Sequence, residues 1–272
     1  LTRGLVVKDA VFKFHDEHGH ESDFTAPYVT AKVRRAEPIT LDEFEFVKKN
    51  TSLTGKVTMP APSTMHFYRF TQYCEPAIYA SAKEFFVDLG RVYQQEIADL
   101  AKAGCRYVQL DEVALAVLCD PAAQEKVRAA GGDPDELVDL YVDAINEAVK
   151  GKPAGMVVGV HMCRGNYKGM YLSEGGYTSI AERLFNRADV NHFLLEFDTP
   201  RAGDFAPLGA MPKSKGVVLG LVSSKTPALE PLDPTPRVHE LLLAPVEGMP
   251  LRAELRAQRG HRGAGRELVA AR

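Results

Sequence analysis

The chain has 272 residues, 45% hydrophobic and 25% charged, with a formal net charge of −3 and a pI of about 6.3. That length supports one large α/β domain or two small ones, and the mild acidity offers no basic surface for nucleic acid or an anionic membrane. No run of 18 apolar residues marks a membrane span, no leader pattern opens the sequence, and cysteines 74, 105, 119 and 163 lack the spacing of a disulfide scaffold. A reducing cytoplasm is the expected setting, with the thiols free or on a metal.

In chain order, Leu5 to Val7 and Tyr28 to Val33 read as extended segments. Between them His15, His18 and His20 sit among Asp16, Glu17 and Glu21, where a solvated hairpin tip is expected and a metal clip is the alternative. No element is legible ahead of Leu5, so the chain is expected to begin in mid-fold. Residues 40–50 read as a helix with Thr40 as N-cap and Glu43 completing a capping box. Gly55 to Pro60 reads as a strand stopped by Pro60-Ala61-Pro62. Ile78, Phe85, Leu89, Val92, Tyr93, Ile97 and Leu100 recur at helical spacing, which predicts a helix over 77–103 ended by Gly104.

Tyr107 to Leu110 follows as a strand ending in Asp111-Glu112. A helix over 134–150 starts from Asp133 as N-cap, Pro134 in the first turn and Glu136 for a capping box. Residues 155–162 read as a buried strand, followed by a loop with Gly165, Gly169, Gly175 and Gly176 and a short helix near 179–187. His192 to Phe197 is a strand ending in Glu196 and Asp198, and residues 216–222 are another, ending in Ser223-Ser224-Lys225. Residues 231–272 carry seven Arg, no Lys and five Pro; no strand is legible there, although Glu254 to Arg259 could be helical. A shifted reading frame or an appended basic tail would both give that composition.

Strands that alternate with helices and read as apolar runs predict a parallel sheet covered on both faces. In such folds chemistry collects at the carboxyl ends of strands, which here offer Asp111, Glu112, His161, Cys163, Glu196, Asp198 and Ser223. Residues i and i+2 of a strand share a side, so His161 and Cys163 project together. An imidazole and a thiol so placed are half of a zinc site, or a buried His beside a structural Cys.

Four segments carry a resemblance: Tyr107-Val108-Gln109-Leu110-Asp111-Glu112, Val160-His161-Met162-Cys163, Leu194-Leu195-Glu196, and Val218 to Ser223. In order and spacing they resemble the fifth to eighth strands of the catalytic barrel of cobalamin-independent methionine synthase, in particular its single-barrel relatives; Gly55 to Pro60 is similar to the fourth. The resemblance implies a (β/α)8 TIM barrel over residues 1–230, with the family's first two strands absent before Leu1 and an atypical tail over 231–272. It implies zinc-dependent transfer of a methyl group to the thiol of homocysteine or a related thiol, from a donor of the 5-methyltetrahydrofolate type. By position, His161, Cys163 and Glu196 are similar to three zinc ligands, Asp111 to the acid that grips the amino group of homocysteine, and Ser223 is a further substrate contact. The implied partners are these small molecules, with no oligomeric state specified.

Departures accompany the resemblance. No Cys follows Cys163 to match the family's fourth ligand, and Cys119 is a weak substitute. The family's pterin-binding acid falls on Val117, and the His of its eighth strand on Val222. Two alternatives stand beside the methyltransferase: a metal-free enzyme like uroporphyrinogen decarboxylase, for which Arg164 and Arg201 are candidate anion contacts, and a non-catalytic or incomplete barrel.

Overall fold

A computed structural model describes residues 2–9, 13–16, 18–75, 77–223 and 225, with the backbone of two short strands at 252–253 and 268–271. The chain opens with β1 (Thr2–Asp9), a small hairpin of β2 (Phe14–His15) and β3 (Glu21–Ser22), and β4 (Thr25–Arg35). β1 pairs antiparallel with β4, and its register shifts between Arg3 and Leu5. Gly4 sits at that shift with φ of +88°, where a Cβ would meet the Ala31 carbonyl oxygen at 2.6 Å. The His-rich stretch is the tip of the β2–β3 hairpin: Asp16 accepts the N–H groups of His18 and His20, both at 2.9 Å, and its other oxygen holds the His20 ring. A strand therefore starts at Thr2, ahead of the expected first element.

α1 (Leu41–Asn50) leads to β5 (Lys56–Pro60), the one-turn α2 (Thr64–Phe67), the long α3 (Ala82–Lys102) and β6 (Tyr107–Glu112). Then come α4 (Ala114–Val117), α5 (Pro121–Ala129), α6 (Pro134–Val149), β7 (Val157–Met162), α7 (Thr178–Arg187), β8 (His192–Glu196) and β9 (Gly216–Gly220). Local chemistry sets most of these boundaries. Ser81 accepts the Glu84 N–H to start α3, and Asp133 accepts those of Asp135 and Glu136 to start α6.

Thr40 does not cap α1. Its hydroxyl donates to Glu96 on α3, and the same carboxylate accepts the N–H groups of Ile39 and Thr40 and the Arg35 guanidinium. The buried Glu96 thus satisfies donors at the α1 entrance that a capping box would otherwise serve. α4 and α5 were not expected, although Asp120-Pro121 carries the start signal; Asp120 accepts the Ala122 N–H at 2.8 Å.

β5 to β9 form a parallel sheet in sequence order. Each crossover advances in the same direction, which puts the connecting helices on one face. That face carries Val57, Met59, Val108, Leu110, Val158, Val160, Met162, Phe193, Leu195, Val217 and Leu219, all buried. It packs on the helices, as where Phe185 of α7 meets Phe193 at a centroid distance of 5.0 Å.

The opposite face corrects the expectation of cover on both sides. Lys56, Thr58, Gly216 and Gly220 on it are exposed and Asp111 and His161 half-buried, whereas Gln109, Gly159, Leu194 and Glu196 are buried. Cover on this face is therefore partial, confined to the strand centres and the cleft at the carboxyl ends. At the outer edge of β9 the strands β10 (Arg252–Ala253) and β11 (Leu268–Ala271) add antiparallel pairing. An unpaired strand edge is a template for such pairing, so strands form in the tail where none was legible. Glu254 to Arg259 lie outside the described residues. No helix of the described residues is long and apolar enough to cross a membrane.

Candidate metal and substrate site

Strand register assembles the site. Asp111 pairs with His161 across β6–β7, and His161 with Leu194 across β7–β8. Cys163 lies one residue beyond the end of β7 and Glu196 at the end of β8. A single cleft of about 200 Å³ is lined by His161, Cys163, Asn166, Glu196, Asp198 and Lys225, with Leu194, Val218 and Val222 as apolar wall. The structure thus brings His161, Cys163 and Glu196 to one place.

Asp111 stands on the same sheet face beside His161. A side-chain relay fixes it: Lys56 donates to Gln109 at 2.8 Å, and the Gln109 amide donates to Asp111 Oδ1 at 2.6 Å. Ser223 lies in an adjoining cleft with Thr199 and Arg201, and Lys225 is shared by both clefts. Its hydroxyl accepts the Lys225 N–H at 3.3 Å and bonds to Asp198.

Glu112 departs from the expected rim. It points to the opposite face, fully buried, and accepts Ser63 Oγ at 2.5 Å and the Leu115 N–H at 2.9 Å. Burial pushes its carboxyl up to about 7, against those hydrogen bonds. Cys119 is also excluded from the cleft: it is buried, and its Sγ faces the Leu115 carbonyl at 3.5 Å. Arg164 is taken out of any ligand role. Its buried guanidinium donates to the Gly175 carbonyl and lies 4.1 Å from the Tyr177 ring centroid. That removes one of the two arginines of the decarboxylase alternative. Arg201 lies over the Tyr171 ring at 3.9 Å.

Two residues were present in the sequence reading without a role, Asp198 and Lys225. The Lys225 ammonium is 2.9 Å from Glu196 Oε1 and 3.4 Å from Asp198 Oδ2, with all three side chains buried. Glu196 Oε2 accepts the Arg164 N–H at 2.7 Å. Burial, then the neighbouring Asp198 charge, pushes the Glu196 carboxyl above its ordinary range. For Asp198 burial acts upward, but the Ser223 hydrogen bond and the Lys225 charge prevail and hold it below. Burial likewise raises the Cys163 thiol. The signal for Asp198 was available, since Glu196-x-Asp198 repeats the spacing of His161-x-Cys163.

Imidazole nitrogen, thiolate sulfur and carboxylate oxygen are the donor types that zinc takes. Three of them line one cleft at adjacent strand ends, so the residues fit the ion. Among the described residues no three such side chains converge on one point. The Lys225 ammonium instead holds Glu196 Oε1 at 2.9 Å.

Residues 15–237 match the family described as "Cobalamin-independent synthase, Catalytic domain". The chain is 33% identical over 215 residues to the uncharacterized protein YxjH of Bacillus subtilis, covering 78% of this chain and 56% of that protein. It is 32% identical over 236 residues to the methionine synthase of Pyrococcus horikoshii, covering 86% and 60%. The putative vitamin-B12 independent methionine synthase from Listeria monocytogenes superposes with a TM-score of 0.62 at 29% identity, over 79% of this chain and 61% of that one. A B12-independent methionine synthase from Shewanella sp. W3-18-1 shares the fold at 20% identity, with a TM-score of 0.63. The chain therefore spans less than two thirds of the length of these relatives. A match running from residue 15 to residue 237 makes the chain a member of the cobalamin-independent methionine synthase family, aligned with its catalytic domain.

Proposed function

We propose that this chain transfers a methyl group to the thiol of homocysteine or a related thiol, at a zinc ion held by His161, Cys163 and Glu196. The observation that carries the reading is that those three side chains line one cleft at the carboxyl ends of β7 and β8, in a member of this family. A zinc ion bound there would keep a substrate thiol in its thiolate form near neutral pH, where a free thiol is mostly protonated.

The chain's own residues supply the rest. Asp111, held by Gln109, is oriented to accept a charge-assisted hydrogen bond from the ammonium of an amino-acid acceptor. Ser223 supplies a hydroxyl at the neighbouring cleft. Leu194, Val218 and Val222 give the cleft an apolar wall that limits water around the sulfur. The methyl donor is of the 5-methyltetrahydrofolate type by family relationship. Residues 1–230 are read as part of a (β/α)8 barrel, a reading that five parallel strands in unbroken sequence order support. A cytoplasmic setting agrees with four free cysteines.

The pairing of Lys225 with Glu196 favours a second reading, a barrel that binds small molecules without metal. Elemental analysis separates the two. The methyltransferase reading expects about one zinc per chain, lost in Cys163→Ser, together with methyl transfer to homocysteine. A folded protein without zinc, or a Cys163→Ser variant that keeps it, would overturn that reading.

A further inference from the structure

Asp198 is buried, at 9% exposure, and lines the same cleft as His161, Cys163 and Glu196. Its Oδ2 faces the Lys225 ammonium at 3.4 Å, whereas its buried Oδ1 has no hydrogen-bond partner among the described residues. A carboxylate oxygen taken out of water without a donor is unfavourable and marks a place where a cation or donor belongs. Phe197 points to the other side and is fully buried, so Glu196 and Asp198 are locked onto the cleft side together. Two i, i+2 pairs on adjacent strands then face one space. No second thiol lines it.

We infer that Asp198 is the fourth protein donor to the metal, and that the Lys225 ammonium only neutralises the two carboxylates until the metal displaces it. The inference rests on the zinc reading above and extends it to a donor set of one imidazole, one thiolate and two carboxylates. That set is harder than one with a second thiolate, so its preference for soft cations such as Cd²⁺ over Zn²⁺ is correspondingly smaller.

The test uses the full chain loaded with Co²⁺ for spectroscopy and with Zn²⁺ for affinity, the latter by competition with a chromophoric chelator. Asp198→Asn is expected to weaken zinc binding at least roughly tenfold, since even partners that only support a ligand cost that much. It is also expected to change the cobalt d–d bands while leaving the thiolate-to-cobalt charge transfer from Cys163 in place. The loss should persist in a Lys225→Met background, and Lys225→Met alone should not weaken binding. Asp198→Ser serves the same comparison if the Asn variant folds poorly.

Unchanged affinity and d–d bands in both Asp198 variants would overturn the inference. So would a loss that vanishes in the Lys225→Met background, because Asp198 would then act only through Lys225. A wild-type chain that takes up no metal sinks the zinc reading itself, and this inference with it. Wild-type uptake with indifferent Asp198 variants sinks the inference alone.

Discussion

The Tyr177 hydroxyl shows how single atoms hold the site. It accepts the Glu196 N–H at 3.1 Å and donates to the Met162 carbonyl at 3.1 Å, from a fully buried ring. It therefore ties the ends of β7 and β8 at the height of Cys163 and Glu196. Tyr177→Phe leaves buried backbone groups without that partner, and should destabilise the chain by about 1–3 kcal/mol in urea unfolding and weaken metal uptake. On the proposed function Asp111 acts on substrate instead. Asp111→Asn keeps the shape and removes the charge, so KM for homocysteine should rise about tenfold or more, with the fold and metal content unchanged. A KM unchanged within twofold would remove Asp111 from the acceptor's ammonium.

Elements obey their own rules. Asp133→Ala removes an oxygen that accepts the Asp135 N–H at 2.7 Å, and should cost about 1 kcal/mol of stability without effect on the cleft. Gly159 illustrates a constraint between strands rather than within one. A Cβ there would lie 2.5 Å from His192 Nε2, the atom held by the Tyr107 hydroxyl at 2.5 Å. Gly159→Ala should therefore push the His192 ring off Tyr107 and lower the unfolding midpoint more than the Asp133 variant does. The helix start at Asp133 was legible because a cap bonds within four residues, whereas the helix expected over 77–103 begins only after Ser81. The start of α1 falls where expected, but its capping box does not form, because Glu96, more than fifty residues away, accepts the N–H and the hydroxyl of Thr40.

Across the whole molecule, two buried groups oppose each other in their response to pH. Burial drives His66 from an ordinary 6.5 to about 3, with its ring nitrogen on the Tyr141 hydroxyl at 2.8 Å. The stability this neutral ring contributes is present above about pH 6.5 and is lost as pH falls towards 3. Glu112 is raised from 4.5 to about 7, so its contribution is present below about pH 4.5 and is lost as pH rises through 7. Between about 4.5 and 6.5 the two slopes, each about 1.4 kcal/mol per pH unit, offset one another. Glu112→Gln should remove the Glu112 slope. Relative to wild type, its urea midpoint should climb from pH 4.5 to 7 and stay level beyond. A wild-type-minus-variant difference that is flat with pH would show that Glu112 ionises normally in the fold.

The sequence by itself determined the order of the five parallel strands and their long helices, the carboxyl ends at which polar groups gather, and the family. These depend on period, caps and short motifs, which are local in the chain. It also placed His161 and Cys163 on one side, because i and i+2 in a strand admit no other arrangement. Tertiary structure decided which of those polar groups share a space. The pleat sent Glu112 into the helical layer, packing turned Cys119 and Arg164 inward, and chain return after β9 carried Lys225 onto Glu196 and Asp198. Such outcomes depend on contacts between residues tens of positions apart. Burial and charge neutralisation select them, and neither is written in the spacing of any one segment.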